Sequence, residues 1–251
     1  MKKLTDIVAT LRSPNGCSWD KKQTHASLIP YLLEETWEVI EEIQQERTGS
    51  SLKEELGDLL LQIALHSQIA SENGKFTMDD VIDAISDKMV SRHPHVFKNN
   101  DNDLSDKELT QQWNRIKSAE KNRKSIHEGI PIGAPALMNA LTISKRAASL
   151  GFDWETPGDV LLKVEEELEE VRQEMKSGNI ENLEEEIGDL LFTVTNLARV
   201  HKINPELALK NGNDKFMRRF AVVEQAIVEA RDKNRELSMD EMQSHWQKSK
   251  L

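Results

Sequence analysis

Two pairs of acidic segments are the residues of this sequence whose types and spacing are best suited to chemistry. In the later pair, Glu167 and Glu170 lie three residues apart, and the next segment gives Glu186 and Asp189 the same spacing. The earlier pair repeats this pattern with Glu35, Glu38, Glu55 and Asp58. Residues three apart on a helix share a face. Two adjacent helices would therefore direct four carboxylates toward one point in each copy.

Clustered carboxylates repel one another unless a cation lies among them. Ligand sets made only of oxygen suit hard cations, and magnesium is the usual choice where phosphate is handled. We therefore predict that all eight acids bind metal, with Mg²⁺ as the cofactor. The alternative is a solvated acidic helix face, which is common on surface helices. A di-iron bundle would need Glu-x-x-His on two helices, and His66 and His201 do not have that spacing.

A basic cluster near the C-terminus is the second feature suited to chemistry. Lys215, Arg218 and Arg219 lie three and four residues apart, so on one helix they can hold a polyphosphate, which arginine binds through paired hydrogen bonds. The alternative is a set of ordinary surface cations beside Phe216 and Phe220 as core residues. Trp246, further along, either stacks on a base or packs as an anchor at the C-terminus.

Charge and composition exclude several classes of protein. The 44 acidic residues exceed the 33 basic ones, for a net charge of -11, which argues against nonspecific nucleic-acid binding. The single cysteine, Cys17, cannot form an intrachain disulfide. No apolar run reaches the roughly 18 residues that span a bilayer, and no signal peptide is apparent at the N-terminus. We expect a cytoplasmic protein that binds neither membrane nor nucleic acid.

The elements that position these residues occur twice, because the second half of the chain repeats the first. Trp113 matches Trp246, for example, at an offset of 133 residues. Apolar residues recur at helical spacing and no alternating strand pattern is long enough to assign. We predict an all-α protein with two tandem, four-helix-bundle-like domains at residues 1–120 and 137–251, joined by a linker at 121–136 that is rich in glycine and proline.

The helix that starts near Leu52 is predicted to be buried on most sides, and the helix after Glu186 carries an apolar stripe. The apolar residues after Glu186 follow the spacing of one helix face; they are Ile187, Leu190, Leu191 and Val194. Glycine also recurs inside Glu-x-Gly-Asp, as Gly57 and Gly188. Glycine within a helix costs roughly 1 kcal/mol relative to alanine. Its recurrence predicts that a neighbouring helix approaches closely there.

Taken together, these segments resemble the MazG family of nucleoside triphosphate pyrophosphohydrolases over nearly the whole chain. The motifs that carry the resemblance are Glu34-Glu35-x-x-Glu38, Glu55-x-x-Asp58, Glu166-Glu167-x-x-Glu170, Glu186-x-x-Asp189, Cys17-x-Trp19-Asp20 with Gln23-Thr24, Arg92-His93-Pro94-His95-Val96-Phe97, and Lys215-Phe216-x-Arg218-Arg219-Phe220. Dimeric dUTPases and phosphoribosyl-ATP pyrophosphohydrolase share the acidic motif alone. Ser18 departs from the proline that is usual in its loop.

The resemblance implies the all-α fold of nucleoside triphosphate pyrophosphatases, tandem domains, a homodimer, magnesium, and hydrolysis of nucleoside triphosphates to monophosphate and diphosphate. It implies metal ligation by Glu167, Glu170, Glu186 and Asp189. It further implies nucleotide contacts from one turn at Lys163, Val164, Glu165, Glu166 and Glu167, from another at Asn182, Leu183, Glu184 and Glu185, from Lys215, Phe216, Met217, Arg218 and Arg219, and from Trp246.

We predict that water attacks the triphosphate with help from the metal. The predicted catalytic residues are Glu167, Glu170, Glu186 and Asp189, with Lys215, Arg218 and Arg219 neutralising the departing diphosphate. A broad range of bases, with ribose or deoxyribose, is expected because no group that reads the base is visible. The second copy should do most of the work, because the first keeps one arginine, Arg92, in the matching segment and Pro94 ends its helix.

Two alternatives stay open. One is a non-catalytic helical dimer that binds nucleotide or a partner protein. The other is a sibling enzyme that is restricted to one nucleotide, such as dUTP.

Overall fold

A computed structural model of the chain describes residues 2–98, 104–121, 125–126, 128–131 and 133–250. All regular elements in these residues are helices, so the all-α prediction is confirmed. The chain divides into two compact units, Met1–Asn122 and Arg123–Leu251. Part of the predicted linker (122–124, 127 and 132) lies outside the described residues, and the linker bounds stay a prediction. No helix in the described ranges is long and apolar enough to cross a membrane.

The first unit is organised around its longest helix. Its elements are α1 (Lys2–Arg12), a 3-10 turn (Asp20–Lys22), α2 (Ile29–Gln44), α3 (Ser50–Glu72), α4 (Met78–Arg92), α5 (Pro94–Phe97) and α6 (Asp106–Lys121). Helices α1, α2 and α4 all pack against α3, and α6 packs against α4. A core of Val8, Leu28, Leu65 and Ile69 holds α1 and the start of α2 on α3. Pro94 lacks the N–H that would continue α4, and α4 ends two residues before it.

The second unit is organised around a pair of long helices. Its elements are α7 (Ala136–Ser149), α8 (Pro157–Ser177), α9 (Ile180–Val200), α10 (Pro205–Asp232) and α11 (Met239–Lys248). The α8–α9 pair shares the largest helix contact of the chain, α7 packs on α9, and α10 packs on both α7 and α9. Helix α11 packs on α10. Both units therefore present a hairpin of two long helices, α2–α3 and α8–α9.

A tight turn sets the register of the α8–α9 hairpin. Gly178 ends α8 with φ +76°, a left-handed conformation that favours glycine. The Asn179 side chain then begins α9, because its Oδ1 accepts hydrogen bonds from the backbone N–H groups of Glu181 (3.1 Å) and Asn182 (3.2 Å). At its other end, α8 begins with a capping box between Thr156 and Asp159. These caps place the middle of α8 opposite the first turns of α9.

The apolar stripe of α9 is mostly exposed within the described residues of this unit, and of its four residues Leu190 alone is half-buried. Ile187, Leu191 and Val194 are 43, 53 and 44 % exposed. The buried residues of α9 are polar instead: Thr193, Thr195 and Asn196. Periodicity identifies a face, but it does not say which neighbour covers that face. Here α7 and α8 cover the polar side of α9 and leave the apolar side open to solvent.

The prediction of close helix approach at the recurring glycines is wrong. A Cβ atom added to Gly57 or to Gly188 meets no atom within 4 Å. Both glycines are exposed. Within the described residues, no neighbouring helix therefore requires glycine at either position.

We expect Gly188→Ala to stabilise the folded chain by about 0.5–1 kcal/mol, since alanine restricts the unfolded chain and meets no obstacle here. The measurement is the free energy of unfolding in urea. Gly178→Ala is the matched control and should destabilise, because its φ is +76°. A loss of stability in Gly188→Ala would contradict the open surroundings of Gly188 within the chain.

Candidate metal centre and adjoining cavity

Three of the predicted acids of the second unit come together across the α8–α9 hairpin. Glu167 on α8 and Glu186 and Asp189 on α9 each offer a carboxylate oxygen, and these oxygens all lie within 4.8 Å of one another. We call these three residues the unit 2 acid cluster. Glu167 is only 5 % exposed, so its charge is largely withdrawn from water. A solvated acidic face would not bury one of its members.

Lys163 is the cation nearest to this cluster. Its Nζ lies 2.6 Å from a carboxylate oxygen of Glu166 and 2.8 Å from one of Glu167, one turn further along α8. These two hydrogen bonds raise the pKa of Lys163, the bond to Glu166 contributing most. The ammonium group is therefore charged at neutral pH and offsets part of the negative charge of the cluster. Lys163 and Glu167 lie four residues apart, and this spacing indicates an ion pair on one helix face.

Glu186 is repelled by the other acids around it. Burial raises the pKa of Glu186, and the neighbouring charges of Glu170 and Asp189 raise it further. Glu170 is thus close enough to act electrostatically, although its oxygens are outside the 4.8 Å group. The cluster holds more negative charge than Lys163 compensates, so a cation of higher charge would relieve it.

The first unit repeats the arrangement on α2 and α3. Carboxylate oxygens of Glu35, Glu55 and Asp58 lie within 4.8 Å of one another, and we call these residues the unit 1 acid cluster. Burial, followed by the charges of Asp58 and Glu38, raises the pKa of Glu35. Burial and the charge of Glu38 likewise raise the pKa of Glu55. Glu38 is a close neighbour of the cluster without belonging to the group of three.

The donors of both clusters fit a hard divalent cation. All of them are carboxylate oxygens, and neither sulfur nor nitrogen is present in either group, which is the ligand chemistry of magnesium, calcium or manganese. The raised pKa values of Glu35, Glu55 and Glu186 indicate repulsion that such a cation would remove. Glu167, Glu186 and Asp189 would hold the ion in the second unit.

The predicted basic residues lie on a different helix from the acids. Lys215, Arg218 and Arg219 are on the uninterrupted α10, which packs against α9. Among the described residues none of the three forms an ion pair, so their charges are available to a ligand. Phe216 and Phe220 are not core residues, contrary to one reading of the sequence: both are exposed, with ring centroids 5.6 Å apart.

The other predicted nucleotide contacts fall on helical turns. Lys163 to Glu167 form a turn of α8, and Asn182 to Glu185 lie in the first turns of α9. The Trp246 ring lies 5.2 Å from that of Phe216, so Trp246 packs α11 on α10. This contact matches the packing alternative for Trp246, and no contact tests its stacking on a base.

A cavity of about 470 Å³, which was not predicted from the sequence, adjoins the unit 2 acid cluster. Its lining residues from α7, α8, α9 and the loop before α8 include Ser144, Phe152, Trp154, Lys163, Phe192, Thr193, Asn196 and Arg199. Lys163 links the cavity to Glu167. Thr193 and Asn196 follow Asp189 by four and seven residues, so they share its helix face. This spacing is the feature of the sequence from which polar residues beside the acid cluster could have been predicted.

The polar groups of the cavity are mostly bonded to one another. Ser144 Oγ donates to Asn196 Oδ1. The Asn196 amide nitrogen donates to the carbonyl oxygen of Phe192 at 3.3 Å. Arg199 pairs with Asp153 at 2.5 Å, which lowers the pKa of Asp153. The cavity therefore offers aromatic surface with few free hydrogen-bonding groups.

Comparison with known proteins identifies the same domain in both halves of the chain. The model of the MazG nucleotide pyrophosphohydrolase domain matches residues 23–97 and again residues 155–223. The nucleoside triphosphate pyrophosphohydrolase/pyrophosphatase MazG of Thermotoga maritima is 43 % identical over 99 % of this chain and 95 % of its own length. The nucleoside triphosphate pyrophosphohydrolase of Escherichia coli K12 is 43 % identical over 99 % and 96 %. An uncharacterized protein of Bacillus subtilis, YabN, is 46 % identical over 97 % of this chain and 50 % of its own length.

We expect Glu186→Gln to stabilise the metal-free chain at neutral pH. The folded pKa of Glu186 is above its usual 4.5, so its protonated form favours folding, and that contribution is lost as pH rises through the folded pKa. The stability difference between variant and wild type should therefore grow as pH rises above 4.5. Thermal unfolding across pH measures it.

The same variant should gain less stability than the wild type when Mg²⁺ is added, because a ligand that binds only the folded state stabilises it. Equal stabilisation of both proteins by Mg²⁺ would contradict metal binding at Glu186. Glu184→Gln is the matched control, because Glu184 lies two residues before Glu186 on the same helix and outside the cluster.

Proposed function

The chain belongs to the MazG family of nucleotide pyrophosphohydrolases, and we propose that it works as a magnesium-dependent enzyme with a broad range of nucleoside triphosphates. Its reaction is the hydrolysis of a nucleoside triphosphate to the monophosphate and diphosphate. The observation that carries the proposal is the convergence of Glu167, Glu186 and Asp189 beside a cavity that is large enough for a nucleoside. The proposed setting is the cytoplasm, where these nucleotides are made and used.

The residues of the second unit divide the work between them. The unit 2 acid cluster holds the cation, with Glu170 as a further acid beside it. A bound Mg²⁺ would supply positive charge for the triphosphate and make water a stronger nucleophile. We assign the proton of the attacking water to a neighbouring carboxylate, such as Glu170, which lies outside the group of three. Attack at the α-phosphorus gives the monophosphate and releases diphosphate.

The unpaired cations of α10 serve the leaving group. Lys215, Arg218 and Arg219 carry three positive charges on neighbouring positions of one helix, and diphosphate gains negative charge as it departs. The nucleotide contacts that we propose along the hairpin are the turns Lys163–Glu167 and Asn182–Glu185, with Met217, Phe216 and Trp246 beside the basic cluster. Lys163 would exchange its bond to Glu166 for a phosphate oxygen.

The cavity is the proposed place of the nucleoside. Phe152, Trp154 and Phe192 provide aromatic surface on which any base can stack. The amide of Asn196 is engaged with Ser144 and with the backbone of α9, so it does not select one base. Recognition by stacking rather than by hydrogen bonds would give broad base tolerance. It argues against the enzyme restricted to dUTP, which requires a group that reads uracil.

We propose that the chain acts as a homodimer. Six apolar residues of the acid-bearing hairpin are exposed within the described part of the unit; they are Leu161, Leu162, Leu168, Ile187, Leu191 and Val194. Exposed apolar surface of this kind is characteristic of an interface. A non-catalytic helical dimer would share this surface. It would not need the buried acid of Glu167 or the adjoining cavity.

Purified protein with Mg²⁺ and a mixture of triphosphates should release diphosphate and no orthophosphate, and a chelator should stop the reaction. Ion chromatography separates the two products. Rates across the four bases, with ribose and with deoxyribose, should agree within about tenfold because stacking is tolerant of sequence. Release that resists the chelator would contradict the metal mechanism. A strong preference for dUTP would support the sibling enzyme.

The two units should contribute unequally, and the comparison of Glu55→Gln with Glu186→Gln measures this. Glu186→Gln should reduce diphosphate release on the order of 100-fold, the effect of losing one transition-state contact, whereas Glu55→Gln should stay within about twofold. The reason is the basic cluster. In the first unit the matching Arg92 is buried, lies 2.6 Å from Glu120 and stacks 5.1 Å above Trp113, so it cannot meet a phosphate.

Both variants keep the shape of the side chain, and helix content by circular dichroism should equal that of the wild type. Equal losses of activity, or a larger loss in Glu55→Gln, would refute the assignment of catalysis to the second unit.

A further inference from the structure

We propose that the first unit holds a second, non-catalytic nucleotide site, which binds a nucleoside monophosphate through a divalent cation at the unit 1 acid cluster. The base would lie against Trp19 and Tyr31 and meet the side chain of Gln62. The ligand class rests on the proposed function, because a nucleoside monophosphate is the product of that reaction. The site itself rests on contacts of the first unit alone.

An aromatic pair stands one helical turn from the acid cluster. Tyr31 precedes Glu35 by four residues on α2, so the two side chains share a face. The Trp19 ring meets the Tyr31 ring edge-on, with centroids 5.7 Å apart. The two residues are 48 and 38 % exposed, so each keeps surface on which a planar base can stack.

The side chain of Gln62 lies at the same level of the hairpin. Two contacts fix the register of α2 and α3: Glu35 lies beside Asp58, and His25 Nδ1 lies 2.8 Å from His66 Nδ1. Gln62 is four residues from both Asp58 and His66, so it shares their face and lies between these two contacts. It therefore faces the start of α2, which carries Tyr31.

The side-chain oxygen of Gln62 indicates a ligand independently of the acid cluster. It is only 6 % exposed, and its Oε1 has no hydrogen-bond partner within the described part of the chain. His66 Nε2, one turn further, is likewise buried without a partner. A buried acceptor without a donor costs free energy until a donor reaches it. An exocyclic amino group, as in adenine or cytosine, is a donor that would satisfy it.

The repeat supports the same position. Tyr31 and Gln62 match Lys163 and Thr193 of the second unit at offsets of 132 and 131 residues. Lys163 and Thr193 both line the cavity beside the unit 2 acid cluster. The place next to the acids that is open in the second unit is therefore lined in the first by an aromatic ring and an unsatisfied amide.

The cations of the first unit limit the ligand to few phosphates. Lys88 and Arg92 match Lys215 and Arg219 at an offset of 127 residues. Arg92 is bound to Glu120 through two hydrogen bonds, of 3.0 and 2.6 Å. Of this matched pair Lys88 remains, and its charge also acts on Glu120. At the matching positions the first unit therefore has fewer available cations than α10, which suits a monophosphate better than a triphosphate.

Equilibrium dialysis of radiolabelled AMP with Mg²⁺ against the full chain tests the proposal. The chain carries Glu186→Gln throughout, so that binding at the second unit is weakened. We expect one Mg²⁺-dependent AMP site per chain, with UMP binding about tenfold more weakly for want of the amino group. Adding Glu55→Gln or Trp19→Ala should weaken AMP binding at least about tenfold. Phe76→Ala, which removes an exposed aromatic ring of the first unit outside the proposed site, should leave it unchanged.

Gln62→Leu, in the same background, should abolish the preference for AMP over UMP. The absence of a saturable AMP site, or a site insensitive to both Glu55→Gln and Trp19→Ala, would overturn the proposal; equal binding of AMP and UMP would overturn the role of Gln62. Circular dichroism checks that each variant is folded. Diphosphate release by the wild type is measured separately, so AMP binding without release would refute the proposed function and leave the second site standing.

Discussion

Repulsion among clustered carboxylates is the constraint on which the rest of this structure depends. Each unit places three carboxylates within 4.8 Å of one another, and partial burial strengthens their repulsion by lowering the local dielectric. Burial, and after it the charges of the neighbouring carboxylates, raise the pKa of Glu35, Glu55 and Glu186. Such an arrangement persists only because the helix hairpin is held by other contacts, such as the Gly178–Asn179 turn. A cation that binds at either acid cluster would therefore remove this repulsion.

The two units differ in the cations that surround their acid clusters. In the second, Lys163 lies beside Glu167, and Lys215, Arg218 and Arg219 on α10 form no ion pair within the described residues. In the first, Tyr31 stands where Lys163 would be, and Arg92 is tied to Glu120. A duplicated acid motif has therefore been kept while the cationic surroundings diverged. Charge balance around the phosphate, rather than metal ligation, separates the functions that we propose for the units.

The sequence by itself determined the class of the fold and the segments that supply the acids. Helical periodicity and the absence of strand alternation were sufficient for an all-α chain, and the spacing of three residues was sufficient to place Glu186 and Asp189 on one face. The repeat was equally clear, since the same family model matches both halves. These features are local or depend on comparing the chain with itself, so they need no knowledge of which helices pack together.

Only the tertiary structure decided which faces are covered. Ile187, Leu191 and Val194 of α9 are exposed and its polar residues Thr193 and Asn196 are buried, because α7 and α8 pack on the polar side. The glycines of the acid motif meet no neighbour, and Glu170 and Glu38 stay outside the groups of three. The cavity and the unpaired amide of Gln62 depend on which helices face each other. Periodicity fixes what shares a face, whereas the order of packing fixes what that face meets.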